Sequence, residues 1–423
     1  MPRPSLPALA LALLLIGAGP AGAQTDPDEC GPYVLNGTVL ECVARGPLRE
    51  QLRSGTFIAG SAATGEMLAQ ALGLEVATAP LGSSSGGFTY TFDRDRRGWT
   101  RTSPTFGPSF SERALTIGKN KLSAGFNVLT RRYDTVDRLD LDDFSVFRFE
   151  GGSLSVSESR VQLNVKTDTL AVFAQYGLRD NFDVGVLVPY VSVSIDGSSR
   201  IFGETDEELQ RVNVDKSANG IGDIAIIGKY RFWQSARTAA ASLRSNTAMA
   251  VAVTVRVPSG DSDDLLGLGL TRTLVSFIGS GTMGRFSPHV NIGYEFWSDA
   301  VTTSRDFQGQ STLSIQDQVQ YNAGAEFELH PRLTVVADVL GRYLRGGGQI
   351  GYQPFAFPPN RTNVAGAEAL VAVPGGFHTV IVAPGVKWNI YRSALLTGNV
   401  LISATDGGLS DRVTPVIGID WGF

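Results

Sequence analysis

The sequence predicts an all-β protein, an antiparallel transmembrane β-barrel of about 14 strands, with 12 as the alternative count, preceded by an N-terminal pre-barrel segment. Three observations lead there. Strand-like stretches with two-sided alternation follow one another through most of the 423 residues. Many of them run to roughly ten residues, the length a tilted strand needs to cross a bilayer, where strands of soluble sandwiches average about 5 to 6. The links between them alternate between tight turns and long loops.

Taken in order, the chain opens on MPRPSLPALALALLLIGAGPAGAQ, with Arg3, an apolar stretch from Leu9 to Ile16, and Ala21-Gly22-Ala23 before Gln24. This is the pattern of a secretory signal cleaved after Ala23. Residues 24–85 follow as a periplasmic or plug segment. Cys30 and Cys42 are the only two cysteines and, in an oxidising compartment, most simply form one disulfide. A two-cysteine metal site has less support, because no histidine lies near them. Farther on, Met67, Leu68, Ala71, Leu72 and Leu74 fit one face of a short amphipathic helix. A plug entering the lumen and a tether outside it are both compatible with this segment.

The barrel is expected over residues 86–423. In FSPHVNIGYEF, Phe286, Pro288, Val290, Ile292, Tyr294 and Phe296 share one side, and Ser287, His289, Asn291, Gly293 and Glu295 the other. VQYNAGAEFEL and GDIAIIGKYRF repeat the pattern. Aromatics gather at segment ends, and Trp233, Trp297, Trp388, Trp421 and Phe423 are expected at the membrane interface. The terminal VTPVIGIDWGF reads as the strand that closes the barrel against the first, since an open edge in hydrocarbon would leave backbone polar groups unpaired. Pro189, Pro384 and Pro415 each remove a ladder hydrogen bond and are expected at bulges or strand ends. After the signal, no run of about 18 apolar residues occurs, so nothing downstream spans a membrane as a helix.

Parity points a set of charged residues inward: Lys121, Asp223, Lys229, Arg231, Arg256, His289, Glu295, Glu326, Glu328, Asp338, Arg342, Lys387, Arg412 and Asp420. They either line a permeation path or pair with one another to fill a polar lumen. Loop residues Leu265, Leu266, Tyr352, Phe355 and Phe357 are candidates for capturing an apolar solute. Three histidines, His289, His330 and His378, are the bases on offer for an esterase; His289 lies two residues from Ser287, and no third member of a triad stands out. No phosphate loop, GxSxG or zinc spacing occurs, so no catalytic residue, cofactor or metal is assigned. The acidic stretches LDLDDF, ETDEEL and DSDDLL read as solvated loop charge rather than cation sites. A formal net charge of -5 and a pI near 5.4 argue against nucleic acid as a partner.

The pieces GGFTYTFD (86–93), GPSFSERALTIGKNKLSAGFN (107–127), YGLRDNFDVGVLVPYV (176–191) and GIGDIAIIGKYRF (220–232) resemble a family of Gram-negative outer-membrane proteins associated with the meta-pathway of phenol degradation. Those barrels are similar to the long-chain fatty-acid channel class. The resemblance implies residence in the bacterial outer membrane among its lipids, insertion by the barrel assembly machinery with the C-terminal phenylalanine as signal, and passive uptake of a small hydrophobic or aromatic compound. A structural or sensing barrel with a filled lumen is the competing reading, and an esterase has least support.

Overall fold

A computed structural model describes residues 71–83, 87–93, 98–150, 155–203, 205–235, 245–302, 314–346, 349–354, 368–373 and 375–423, all within one compact unit, Gly46–Phe423. The signal sequence, Cys30, Cys42, Met67, Leu68, Phe355 and Phe357 lie outside them.

Twelve strands close the barrel: β1 (Leu122–Tyr133), β2 (Ser155–Arg179), β3 (Phe182–Phe202), β4 (Ile224–Gln234), β5 (Ser245–Val257), β6 (Arg272–Met283), β7 (Phe286–Thr302), β8 (Ser314–His330), β9 (Leu333–Arg345), β10 (Phe377–Tyr391), β11 (Ala394–Ser403) and β12 (Val413–Gly422). Each pairs antiparallel with the next, and β12 returns to β1 with Val416 opposite Leu129 and Gly422 opposite Ser123. The sheet as a whole holds 14 strands, because Phe144–Glu150 pairs with β2 and Glu208–Ile221 with β3 beyond the ring. The lower of the two expected counts therefore describes the closed wall. Strands β2 and β3 are 25 and 21 residues long, far more than a bilayer needs, and their surplus builds a protruding ladder with those two partners.

The wall begins later than residue 86. Tyr90–Asp93 and Gly98–Arg101 form a separate hairpin, and β1 starts at Leu122. Links of two residues join β2 to β3, β6 to β7, β8 to β9 and β10 to β11, all at one end; the opposite end carries the long loops. The three prolines sit where one neighbour is unpaired: Pro189 at the break between β4 and Glu208–Ile221, Pro384 in a gap of the β10–β11 ladder, and Pro415 just beyond the first β1 pair. No ladder hydrogen bond is lost in regular wall.

Outward positions are apolar and open, among them Phe126, Val172, Ile226, Phe277, Val290, Ile292, Val339, Val386 and Ile417. A closed sheet with a continuous apolar exterior is the arrangement that satisfies every backbone group within hydrocarbon. Trp233, Trp388, Trp421 and Phe423 are exposed near the short-turn end, as an interfacial girdle requires. Trp297 departs from the expectation. It has the inward parity of Glu295, is 9% exposed, and packs with Leu74, Leu270, Leu344 and Phe377. Its aromatic neighbours Tyr294 and Phe296 disguised a core residue as a girdle residue.

Candidate functional site: the occupied lumen

Residues 71–78 are helical, and Leu72 and Leu74 are buried against core side chains. Glu75 anchors this helix to the wall. Its carboxylate meets Arg131 of β1 at 2.6 Å and Arg342 of β9. Burial opposes ionisation of Glu75, but the two guanidiniums, Arg342 then Arg131, outweigh it and hold its pKa below the usual carboxylate value. Arg272 donates to the Ala77 carbonyl at 2.8 Å, and Asn127 to the Leu81 carbonyl at 3.0 Å.

A second stretch, residues 103–117, runs without helix or strand and is stitched to inward side chains around the ring. Asp338 of β9 accepts the backbone N–H groups of Ser109 and Phe110, each at 3.0 Å. Asn291 of β7 exchanges two hydrogen bonds with the Glu112 backbone, both 2.7 Å. Ser280 of β6 accepts from Ala114 N–H at 3.1 Å, and Asp183 of β3 from Ile117 N–H at 3.0 Å. Lys387 of β10 donates to the Pro108 carbonyl at 2.7 Å, and Lys229 of β4 to that of Arg113 at 3.3 Å. The Thr105 hydroxyl donates to Glu326 of β8. A segment reaching seven inward-facing strands lies in the lumen. Its irregular backbone is satisfied by wall side chains in place of a ladder. Two arginines near this segment are electrostatically stressed: burial, then the other's charge, lowers Arg101 to about 10, and burial lowers Arg113 against the pull of Glu326, Glu112 and Asp183.

His289 sits in this layer between two carboxylates. Its Nε2 is 2.7 Å from Asp338 Oδ1 and its Nδ1 3.3 Å from Glu326 Oε1. Nε2 is hydrogen-bonded to Asp338 and Nδ1 lies against the Glu326 carboxylate, and the Ser287 hydroxyl lies 3.2 Å from Thr105 Oγ1. His378 faces outward against Tyr321 and Tyr343, and His330 ends β8 at the tight turn before β9. Among the hydrogen bonds of the described residues, none joins a histidine to a serine.

Toward the long-loop end a second charged layer crosses the lumen. Arg256 of β5 pairs with Glu295 of β7 at 3.2 Å, and Arg272 of β6 lies 3.4 Å from Asp223 and 4.0 Å from Glu295. Glu295 also accepts from Trp297 Nε1 at 3.3 Å and from Gln318. Between the two layers lies a cavity of about 180 Å³. The residues 78–82 and the Phe110–Glu112 turn cover one side, and inward side chains of β3 to β10 form the other, with Leu187, Ile227 and Leu274 giving apolar wall and Arg256, Gln318 and Asn322 polar wall.

The structure thus brings together Asp223, Lys229, Arg256, His289, Glu295, Glu326, Asp338, Arg342 and Lys387 of the inward set. Lys387 approaches Asp420 at 3.9 Å. Arg231 is partly buried and donates to the Asp180 carbonyl at 2.7 Å, Glu328 is partly buried at the same end, and Lys121 stacks over the Tyr90 ring at 5.0 Å. Arg412 is a correction: it is exposed in the loop before β12, outside the lumen. Leu265 and Leu266 are corrected as well, since they are 1% and 5% exposed in a cluster with Leu72, Val191 and Val193, where no outside solute meets them directly. Tyr352 belongs to a loop hairpin, Gln349–Pro354 with Glu368–Val373. That hairpin is tied to two other loops by Asp137, whose carboxylate accepts from Ile350 N–H at 2.7 Å and Gly408 N–H at 2.6 Å. Sequence reasoning missed Arg131, Asp183, Arg272 and Glu75. Parity carried the signal for the first three, which share an inward face with Leu129, Leu187 and Leu274. For Glu75 there was none, because its partners are distant in the chain.

Residues 144–343 match the family described as putative MetA-pathway of phenol degradation. The family resemblance of the sequence holds over this stretch. No curated protein matches the chain. Among solved structures, an outer membrane channel from Pseudomonas putida F1 is similar at 10% identity, covering 73% of this chain and 98% of that one with a TM-score of 0.40. The CymD monoaromatic hydrocarbon channel is similar at 9% identity over 72% and 88% with a TM-score of 0.31. The translocator domain of the autotransporter NalP from Neisseria meningitidis is similar at 8% identity over 72% and 88%, with a TM-score of 0.32.

Proposed function

We propose that the protein is an outer-membrane channel for passive uptake of small hydrophobic or aromatic compounds. The observation that carries this reading is a closed wall, apolar outside, around a lumen whose filling leaves a half-apolar cavity in its middle. The long loops face the cell exterior and the two-residue turns the periplasm, the usual arrangement of such barrels. Outer-membrane lipids surround the apolar band, and the barrel assembly machinery inserts it. The match of residues 144–343 to the phenol-degradation family supports the solute class. Residues 71–83 and 103–117 act as the plug. The charged residues between plug and wall hold it in place, and a solute passes by loosening a few of these contacts at a time.

The lumen segment also favours the competing reading of a structural barrel, because seven wall strands bind it. Uptake of labelled toluene and benzoate into vesicles carrying the purified protein decides between them. Entry faster than into empty vesicles is expected for at least one solute. Entry no faster for either would leave the structural barrel as the function.

A further inference from the structure

The lumen cavity has a composition that a general hydrophobic passage does not need. A path for hydrocarbons alone is best lined by apolar side chains, since every polar group buried there needs a partner. Here Leu187, Ile227 and Leu274 give an apolar lining, and Arg256 projects from β5, between the strands of Ile227 and Leu274, into the same space as the amides of Gln318 and Asn322 from β8. Arg256 is only partly buried and makes one hydrogen bond, from Nη1 to Glu295, among those of the described residues. A guanidinium has five N–H donors in a planar fork suited to a carboxylate.

The charge balance runs the same way. Around the cavity four arginines, Arg131, Arg256, Arg272 and Arg342, share the three carboxylates Glu75, Glu295 and Asp223, and the lining residue Glu112 is matched by Lys229 at 3.5 Å. A cluster with one guanidinium in excess in a poorly hydrated space favours an incoming anion. Size sets the other limit. A cavity of about 150 Å³ is known to hold benzene, so the space of about 180 Å³ fits one substituted ring and excludes a long acyl chain in any compact form.

We infer that this cavity is a binding subsite for single-ring aromatic carboxylates, with Arg256 receiving the carboxylate and the Leu187, Ile227 and Leu274 side chains receiving the ring. The inference rests on the channel reading and sharpens its solute class toward aromatic acids. It assigns Arg256 as the specificity-determining residue and leaves neutral rings as poor ligands of this site.

The test uses the full-length protein in detergent and in vesicles. Equilibrium dialysis with labelled benzoate should show saturable binding, displaced by unlabelled benzoate and not by palmitate. Arg256→Gln should weaken that binding at least tenfold. Ala252→Phe, at another lining position, should fill the cavity and abolish benzoate binding without touching the arginine. Heat-dependent mobility on a denaturing gel verifies that each variant retains a folded barrel, and a variant that fails this check is replaced by Arg256→Lys, which keeps the charge, loses the fork and should still weaken binding. Absence of saturable benzoate binding while toluene entry exceeds that of empty vesicles would overturn the subsite and leave the channel standing. Equal displacement by palmitate, or equal binding to Arg256→Gln, would also overturn it. Failure of both solutes to enter vesicles, with benzoate still bound, would overturn the channel reading and retain the subsite.

Discussion

The two faces of β7 obey different rules. On the outer face Val290 and Ile292 are 56% and 57% exposed, and on the inner face Glu295 is fully covered and His289 and Asn291 nearly so. The outer residues are chosen by one property, their preference for hydrocarbon over water, and any apolar side chain of ordinary size meets it. The inner residues are chosen by partners. Asn291 is held by the Glu112 backbone, His289 by Asp338 and Glu326, and Glu295 by Arg256 and Arg272. An outer position tolerates many substitutions of the same class. An inner one is tied to a specific atom of another segment.

The contrast is sharpest at Asp338. Asp338→Ala removes the partner of His289 and strands two backbone N–H groups of the lumen segment, and breaking such a buried network costs about 3 to 5 kcal/mol. Urea unfolding followed by tryptophan fluorescence should show that loss, and protease should cut residues 103–117 more readily. On the other face, Val290→Arg should cost about 2 to 4 kcal/mol by placing a charge in hydrocarbon, while Val290→Leu should leave the unfolding midpoint nearly unchanged. Equal sensitivity of both faces to apolar swaps would break the comparison. Thr105→Val, which takes one donor from Glu326, should cost about 1 to 3 kcal/mol.

Acid should act on the inner face alone. The folded-state pKa of Glu75 lies below its ordinary value, so its pairing with Arg131 and Arg342 contributes fully above that value and fades as pH falls through about 4 and lower. Hydrogen exchange of residues 71–78 should therefore quicken in acid while the wall strands remain protected, and Glu75→Gln should remove the pH dependence. The smallest effect belongs to the exposed pair of Arg138 with Asp406 at 3.7 Å. Arg138→Ala should leave stability unaltered, since both side chains are solvated.

The same contrast explains what the sequence made legible. Alternation is a local signal, so the outer band, the closing role of Val413–Gly422 and the inward parity of His289, Glu295, Glu326 and Asp338 were all readable. Strand number was harder, because Phe144–Glu150 and Glu208–Ile221 alternate as wall strands do yet pair only with the protruding parts of β2 and β3. Trp297 was misplaced by the aromatics beside it. The lumen segment was illegible for a physical reason: its fold is set by bonds such as that from Ser109 to Asp338, 229 residues away, and a stretch rich in Ser, Thr, Pro and Gly carries no periodicity of its own. Its alignment with the wall exists only once the barrel has closed.

The claim that joins these points is that the chain's own segment fills the lumen and leaves room for small solutes without an open aqueous pore. Ion current through the purified full-length protein in a planar bilayer at neutral pH tests it most directly. The account predicts a barrel that inserts and stays nearly silent, without the steady steps of a water-filled porin. Large, stable conductance steps from the wild-type protein would contradict it, because a lumen bridged by residues 103–117 holds no continuous water-filled path for a steady current of small inorganic ions.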